Sequence, residues 1–352
     1  WQTLLRVKPE CTRISWTGTF KNMEGNMSKK VIGIDVGKKD LYLAHKYFTT
    51  TGKVKVKRKK FSNNLKGYKA LIEWSKNIAK KEGSKSLHFI MEATGVYYEG
   101  IAYFLFEKGF AVSVINPSYI KSFANSSGVR TKTDQKDALV LVEYGEAMKP
   151  ELWSPPAEEY RVLLNLCRAI SSLKNRRDAV ANRIESLKSS RVIAQAVLEE
   201  EERLFNEINK SIKRLEKQIR EHVNKYPSLK KETKLLMSVD GVGWNTAVLM
   251  VAIMEGGRRF KSAKETAAYL GLSVQEYTSG TSVKKRSKLS KKGAKDIRKA
   301  LYFPAITAVR CNADVKALYD RLLKRGKLKM IAIGAAMRKL VHICFGVLKN
   351  KT

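Results

Sequence analysis

The chain is poor in the residues that build disulfide frameworks and zinc sites. Its 352 residues include four cysteines and four histidines, and no two cysteines form a Cys-x-x-Cys pair. This composition shows no zinc pattern and is typical of a protein from a reducing cytosol. A long uninterrupted apolar run is also missing, because Arg338, Lys339 and His342 break the most apolar late stretch, Ile331 to Leu348. We therefore predict a core helix there and no membrane span.

Acidic residues are scarce beside basic ones. The chain has 33 Asp and Glu against 69 Lys and Arg, which gives a formal net charge of +36 spread along its length. Such an excess predicts a polyanionic partner, and binding to nucleic acid should weaken as salt rises. Composition alone leaves open a binder without chemistry, of the kind found in ribosomes. With 43% hydrophobic residues, the chain can form two or three packed domains.

The first 26 residues show neither a helical nor a strand period. A Met-Ser-Lys-Lys sequence at Met27 directly precedes the first strand pattern. We expect the native chain to begin at Met27 and residues 1–26 to be a non-native or disordered leader.

Residues 27–152 predict an α/β domain. Short apolar or alternating segments beginning at Val31, Asp40 and Lys53 indicate three sequential strands. Asn64 can cap the following helix and Gly83 can end it. The later segments predict, in order, the strand SLHFIM, the helix YYEGIAYFLFEKG, the strand AVSVIN and helices around Tyr119–Ala124 and Gln135–Met148. This order gives a mixed sheet covered by helices.

Residues 153–230 predict a long helical pair of coiled-coil character. Pro155 and Pro156 mark the boundary, and apolar residues then recur every three or four positions from Leu163 to Leu187 and from Leu204 to His222. Arg177 falls at a seam position, where it would cost stability and could fix the register. Self-association through this segment and packing as two core helices of a bundle both remain open.

Residues 231–352 predict a mainly helical C-terminal domain. Gly241 and Gly243 lie between two apolar helical stretches and resemble a helix-hairpin-helix element, whose backbone amides can bind a phosphate. Helical patterns return at Ser262–Gly271 and from Asp296 onward, and the polar stretch from Ser273 to Gly293 between them predicts a loop.

Four carboxylates occupy strand ends or a helix start, namely Asp35, Glu92, Asp134 and Asp137. Strand ends at one edge of a sheet lie side by side, and residues three apart share a face of a helix. Clustered acids in a basic chain require cations, and oxygen ligands suit Mg²⁺, with Mn²⁺ as a substitute. We predict two such ions flanking a scissile phosphate. Taken singly, Asp35 could be a turn residue and Asp134 a helix cap. Alternation or helix phase directs the other nearby acids elsewhere, namely Asp40, Glu99 and Glu143.

The segments IGIDVGKKD, MEATGVYYE, SVINPSYIKSFANSSGVRTKTDQKDA and GLSVQEYTSGTSVKKRSKLSKKGAKDIRKALYFPA resemble the DEDD insertion-sequence transposases related to Piv-type DNA invertases, the bridge-RNA-guided recombinases. The resemblance runs from about Val31 to about Leu348. It implies a RuvC-like, RNase H-like N-terminal domain, assigns the metal-binding acids to Asp35, Glu92, Asp134 and Asp137, and places a nucleophilic serine at Ser279. It also implies a covalent serine–DNA link, two sites brought together from different subunits, and a non-coding guide RNA that pairs with target and donor DNA.

Taken from the residues alone, Ser279 is less distinctive than the acids. A Ser-Gly pair in a polar stretch is usually a turn, and Thr278, Thr281 and Ser282 are neighbouring hydroxyls. A serine hydroxyl is a weak nucleophile without a base or a metal. Cationic residues that could hold a phosphate surround it, namely Lys284, Lys285, Arg286, Lys288, Lys291, Lys292 and Arg298. These cations could equally bind a nucleic-acid backbone without catalysis.

The combined prediction is an RNA-guided DNA recombinase of an insertion sequence, dimeric or tetrameric, that acts on the nucleoid in a prokaryotic cytoplasm. Basic residues 53–60 and the coiled-coil helices are candidate nucleic-acid contacts. Two alternatives stay open: a RuvC-like nuclease that uses water as its nucleophile, and a nucleic-acid-binding protein without catalysis.

Overall fold

The computed structural model describes residues 30–49, 51–84, 86–126, 134–279 and 283–352. The chain divides into two compact units, unit 1 up to Pro155 and unit 2 from Pro156 onward. The predicted leader, residues 1–26, lies outside the described residues, as do Thr281 and Ser282. The predicted further division of the second part into a coiled-coil segment and a C-terminal domain stays a prediction.

Unit 1 is a five-stranded sheet with helices on both faces. Its elements are, in chain order, β1 (Lys30–Val36), β2 (Asp40–Phe48), β3 (Val54–Ser62), α1 (Leu65–Lys81), β4 (Leu87–Glu92), α2 (Glu99–Glu107), β5 (Ala111–Ile115), α3 (Pro117–Ser126) and α4 (Asp134–Met148). The sheet order is β3-β2-β1-β4-β5. The β1, β2 and β3 strands are antiparallel neighbours, and β4 runs parallel to both β1 and β5. This is the RNase H-like arrangement that the sequence predicts.

Strand alternation assigns each side chain of the central strands to one of two cores. Ile32, Ile34 and Val36 of β1 pack in the core under α1 and α2. Val31 of β1 and Ile90 of β4 pack instead in the core under α4. Since neighbouring positions of a strand face opposite sides, odd positions of β1 and even positions of β4 lie on the α4 side.

Two glycines allow α4 to lie directly on the sheet. A Cβ added to Gly33 would overlap the backbone oxygen of Ala138, and one added to Gly145 would meet Ile90 at 2.7 Å and Val31 at 2.8 Å. The start of α4 therefore lies over the later part of β1, and its end lies over the beginning of β1. The helix runs antiparallel to that strand.

Gly33→Val is expected to destabilise the contact between β1 and α4. The added side chain must displace the α4 backbone, and overpacking of this kind costs about 1–3 kcal/mol. Hydrogen–deuterium exchange of peptides from β1 and α4 should become faster. Gly346→Ala is the matched control, because nothing lies within 4 Å of a Cβ at that helical position. Unchanged exchange in the Gly33 variant would contradict the close approach.

The end of α1 is held to the sheet by a charged cluster. His45 of β2 is buried, with Nδ1 3.0 Å from the Val31 oxygen and Nε2 3.0 Å from Glu82 Oε1. The Lys30 Nζ lies 3.0 Å from Glu82 Oε2. Burial acts to raise the pKa of Glu82, but hydrogen bonds with Lys30 and His45 outweigh it and lower that pKa below the ordinary value.

Glu82→Gln is expected to destabilise the protein by about 1 kcal/mol at neutral pH, where the carboxylate is ionised. Because the folded-state pKa is lowered, this stabilisation is present above the unfolded-state pKa and is lost as pH falls through the folded-state value. The difference between variant and wild-type melting temperatures should therefore shrink as pH falls below the ordinary glutamate range. Glu200→Gln, at an exposed ion pair with Arg203, should change stability little at any pH. If the melting-temperature difference between Glu82→Gln and the wild type grew as pH fell, the stabilising role of the ionised Glu82 carboxylate would be contradicted.

Unit 2 is mainly helical. Its elements are, in chain order, α5 (Glu158–Lys188), α6 (Gln195–Lys225), α7 (Pro227–Met237), α8 (Trp244–Met254), a 3-10 turn (Glu255–Gly257), α9 (Ala263–Tyr269), β6 (Val274–Ser279), β7 (Val283–Leu289), α10 (Lys295–Ala300), α11 (Tyr302–Cys311), α12 (Ala313–Lys324) and α13 (Lys329–Asn350). One core joins most of these helices.

The two predicted coiled-coil runs pack against each other within the chain. The α5 and α6 helices are 31 residues each and antiparallel, because Lys174 pairs with Glu216 while Lys188 pairs with Glu202. Ile170, Ile208 and other seam residues enter the unit 2 core. The predicted helical pair is therefore a hairpin of helices whose apolar seams face each other. Arg177, predicted at the seam, is half-buried and pairs with its neighbour Asp178.

The stretch 273–293, predicted as a loop, instead contains two paired antiparallel strands, β6 and β7. The prediction is wrong because lysines occupy much of β7 and hide its alternation, while Val, Tyr and Thr give β6 its strand propensity. The connection of residues 280–282 has a length common in hairpins and lies outside the described residues.

The last helix, α13, is the single helix in the described ranges that is long and apolar enough to cross a membrane. Half of its most apolar stretch is buried. Leu340, Val341, Cys344 and Leu348 lie in the unit 2 core, which agrees with the predicted core helix.

Candidate active site

Asp35 and Glu92 lie at the same end and on the same face of the unit 1 sheet. Glu92 is the last residue of β4 and Asp35 the penultimate residue of β1, and these strands are parallel with Ile34 opposite Met91. Both residues are in phase with the side chains that pack under α4. Both are half-buried. The Thr94 hydroxyl donates to Glu92 Oε1 over 3.0 Å. The predicted convergence of these two strand ends follows from this register.

The start of α4 brings the other two acids to that end of the sheet. Asp134 is the first residue of α4. Asp137 directly precedes Ala138, whose backbone oxygen packs against Gly33 so closely that a Cβ there would overlap it. Gly33 precedes Asp35 by two positions on the same face. The first turn of a helix also carries a partial positive charge, which favours carboxylates there.

The donor set suits a hard divalent cation. Asp35, Glu92 and Asp137 are half-buried carboxylates, and the Asp134 side chain lies outside the described part. Among the side chains that the structure describes, no group of three or more His, Cys, Asp or Glu is close enough to hold a metal ion. Asp35, Glu92 and Asp137 thus share an end and a face of the sheet, and these three described carboxylates do not form a closed ligand cluster. Their oxygen-only chemistry fits Mg²⁺ or Mn²⁺ and disfavours softer metals.

Lys60 lies beside this acidic end of the sheet, and the sequence pattern does not distinguish it from the neighbouring lysines. Tyr42 is the direct neighbour of Asp35 across β1 and β2. The Lys60 Nζ lies 5.3 Å from the Tyr42 ring centroid and 3.0 Å from Asp40 Oδ2. The hydrogen bond to Asp40 raises the pKa of Lys60. Lys60 is hidden in the sequence by the run of lysines around it, and only the register with Tyr42 shows which of them lies here.

Ser279 is the last residue of β6, and its backbone pairs with Val283 of β7. The serine thus lies next to the hairpin connection, opposite the start of a strongly basic strand. Thr278 pairs with Lys284, and Tyr277 with Lys285. The side chains of Tyr277 to Ser279 and of Val283 to Arg286 lie outside the described part.

The remaining predicted cations follow the serine strand. Lys288 is exposed on β7, and Lys291 and Lys292 are exposed in the segment after it. Arg298 of α10 is half-buried and donates through Nη1 to the Leu270 oxygen over 3.1 Å. That contact ties the start of α10 to the segment before β6. Lys288, Lys291 and Lys292 are therefore the described cations with solvent-facing charge.

The predicted helix-hairpin-helix turn joins α7 to α8. Gly241 has φ +92°, and a Cβ there would meet the backbone of Ala308 at 2.7 Å, so a glycine is required. Gly243 caps α8 with its extended backbone and is exposed. This exposed helix start is the geometry that the sequence predicts for phosphate binding.

Two transposase family profiles match the chain. DEDD_Tnp_IS110, described as Transposase, matches residues 32–188. The other, described as Transposase IS116/IS110/IS902 family, matches residues 233–320.

Individual relatives extend the similarity to nearly the whole chain. The pilin gene-inverting protein of Moraxella bovis is 32% identical over 328 residues, which is 92% of this chain and 97% of that protein. A probable family 20 transposase of Pseudomonas aeruginosa is 25% identical over 280 residues, 70% of this chain and 79% of that one. Among solved structures, RuvC of Thermus thermophilus matches 34% of this chain and 96% of its own, with 14% identity and a TM-score of 0.24.

Proposed function

The chain belongs to the IS110 family of transposases, which are DNA recombinases, and from this premise we propose that it cuts and rejoins DNA through two half-sites. One half-site is the carboxylate end of unit 1, with Asp35, Glu92, Asp134 and Asp137. The other is Ser279 at the end of β6. The observation that carries this proposal is that Asp35, Glu92 and the first turn of α4 share one end and one face of the sheet.

The four carboxylates would hold Mg²⁺, two ions in the full site, with Mn²⁺ as a substitute. Bound there, the metal would stabilise the negative charge that develops on the entering and leaving oxygens of a phosphodiester. The acids themselves would orient the phosphate, because they fix the position of the positively charged metal. Gly33 supports the arrangement, because it lets α4 approach close enough to bring Asp137 to the end of β1.

The Ser279 hydroxyl would be the nucleophile. Its oxygen attacks the phosphorus, the bond from phosphorus to one DNA oxygen breaks, and the serine proton is given up as the released DNA end gains one. The phosphodiester bond is thereby exchanged for a serine–phosphate ester, so its energy is kept for resealing. Lys288, Lys291 and Lys292, with the cations of β7, would hold the backbone next to this serine.

A guide RNA would supply most of the sequence choice, and the protein would contact nucleic-acid shape and backbone. The edge strand β3 is a suitable surface, because Lys55, Lys57 and Lys59 are on it and their side chains face away from α4. The Lys57 Nζ lies 4.4 Å from the Tyr47 ring centroid, which orders this charge on the sheet edge. A dimer or tetramer assembled on nucleic acid in the cytoplasm would bring a carboxylate end and a serine together.

A reconstituted reaction tests this function. The full chain is mixed with donor and target DNA, with or without RNA transcribed from sequences flanking the element, and joined products are measured by sequencing. Exchange should require both the RNA and Mg²⁺. Chelation with EDTA should reduce joining by roughly 10³-fold, because the developing charge then lacks its counter-charge. Added Mn²⁺ should restore it, whereas added Ca²⁺ is the control for charge without the same coordination geometry. Full joining in EDTA would contradict the metal assignment. Full joining without RNA would contradict only the proposal of RNA guidance and would leave the metal assignment standing.

A further inference from the structure

A cleft of about 430 Å³ opens in unit 2 between the helical hairpin and the start of α8. The α5 and α6 helices form one side, and the first turn of α8 and the α10–α11 segment form the other. Among the side chains that the structure describes, none from β6 or β7 lines it. Its volume is within the range of sites for small organic ligands, which include a single nucleotide.

The inner surface of the cleft is apolar and aromatic. Ile170, Ile219, Val248 and Ile297 line it and are buried. The Trp244 indole belongs to the same wall, and the Arg220 guanidinium lies 5.2 Å from its ring centroid. The guanidinium covers part of one face of this half-buried indole, and the rest of the ring contributes aromatic surface to the cleft, which suits a planar, unstacked base.

The rim of the cleft carries an excess of positive charge. Lys174 and Arg177 are neutralised by Glu216 and Asp178, at 3.1 Å and 2.7 Å. Arg168, Arg220 and Lys299 also line the cleft, against one further carboxylate, Asp296. Over the described ranges, no carboxylate forms an ion pair with any of these three. The Lys299 Nζ donates to Asn175 Oδ1 over 3.1 Å, which holds α10 to α5 and keeps the ammonium at the rim. Uncompensated cations of this kind suit a phosphate.

An exposed aromatic side chain completes the rim. Phe303 lines the cleft, yet 74% of its surface is exposed. The Tyr302 ring lies beside it, with centroids 5.4 Å apart, so the Phe303 ring is supported from one side. Many proteins that bind single-stranded nucleic acid use this combination of an aromatic platform and nearby cations.

We propose that this cleft binds one unstacked nucleotide of a single nucleic-acid strand. The base lies against Trp244 and Phe303, and the adjoining phosphate is bound by Arg168, Arg220 and Lys299. The site uses neither the carboxylates of unit 1 nor Ser279, so it goes beyond the proposed chemistry and stands without it. Through this site the protein would recognise an unpaired base, which contacts to the sugar–phosphate backbone alone do not distinguish from a paired one.

Binding of short labelled strands to the full chain tests the cleft. Each strand is made as RNA and as DNA, with all bases present or with all bases removed, and binding is followed by fluorescence anisotropy. The wild type should prefer the strand with bases. Phe303→Ala and Trp244→Leu should each reduce that preference about tenfold, the loss expected for one base–aromatic stack. Arg168→Gln should weaken binding of both strand types equally. Loss of preference on RNA alone, on DNA alone or on both supports the site and shows which sugar it accepts.

The matched control is Phe48→Ala, because Phe48 is also 74% exposed and lies in unit 1. It should keep the wild-type preference for bases. Photoreactive thio-bases in the same strands should crosslink to peptides that contain Trp244 or Phe303, which reports on the site in the unmutated protein. The proposal is overturned if both aromatic variants keep the full preference, if crosslinks fall only outside the cleft, or if an acidic peptide competes as well as the strand does. None of these readouts needs strand exchange, so failure here is distinguishable from failure of the proposed function.

Discussion

Asp35→Asn, Glu92→Gln and Asp137→Asn are each expected to reduce DNA strand exchange by roughly 10³-fold, equivalent to about 4 kcal/mol of transition-state stabilisation. Each change removes one negative charge and keeps the side-chain shape. A metal held by fewer charges would then be bound and positioned less well at the phosphate. DNA binding should change less than threefold or so, because binding depends on the basic surface and salt. Gel-shift assays and sequencing of joined products measure the two quantities separately.

The position of these acids makes the experiment selective. Glu73→Gln is the matched control, since Glu73 is exposed on α1, which packs on the opposite face of the sheet. It should retain both binding and exchange. If Asp35→Asn retained full exchange, the carboxylate end would not be the catalytic half-site. If all three variants kept exchange, none of these carboxylates would be required for the chemistry.

Ser279→Ala should abolish the covalent protein–DNA adduct and reduce exchange by roughly 10³-fold or more, because in the proposed mechanism the hydroxyl oxygen forms the ester. The adduct is measured by denaturing gel electrophoresis of labelled DNA after quenching. The fold should be retained in this variant, since β6 is held to β7 by its backbone and alanine keeps the same main-chain donors and acceptors.

Neighbouring hydroxyls provide the controls for the serine. Thr278→Ala and Ser282→Ala should still form the adduct. An adduct lost in one of these variants and kept in Ser279→Ala would move the nucleophile by one to three positions. Cleavage that persists without any adduct in Ser279→Ala would identify a hydrolytic nuclease that uses water, with the carboxylates as its whole active site.

The family resemblance and the sheet of unit 1 are both confirmed, and local rules explain why. Alternation in β1 to β3, the Asn64 cap and the strand ends at Asp35 and Glu92 are signals carried by neighbouring residues. The face that the two acids share also follows from period-two geometry once β1 and β4 are known to pair. The roles of all five site residues stay predictions. Placement and the resemblance both support the four acids, whereas Ser279 rests mainly on the resemblance.

Other features depend on contacts that no local pattern records. The hairpin of β6 and β7 escapes prediction because the interior of β7 is a run of basic and polar residues, so no apolar face marks a strand. The cleft in unit 2 joins Asn175 to Lys299, which are 124 positions apart. Likewise, Lys60 becomes distinct from its neighbours only when β3 pairs with β2 and places it at Tyr42.

The close fit of α4 on Gly33 also sets when the site can form during synthesis. The ribosome makes β1 and β4 first, and the strands that carry Asp35 and Glu92 can pair before residue 134 has been translated. Only after α4 has left the exit tunnel can its first turn reach the end of β1. A nascent chain that stalls before that point carries half of its carboxylates on a sheet without the other half. Under the proposed function, such an incomplete product would lack two of the four metal-binding carboxylates.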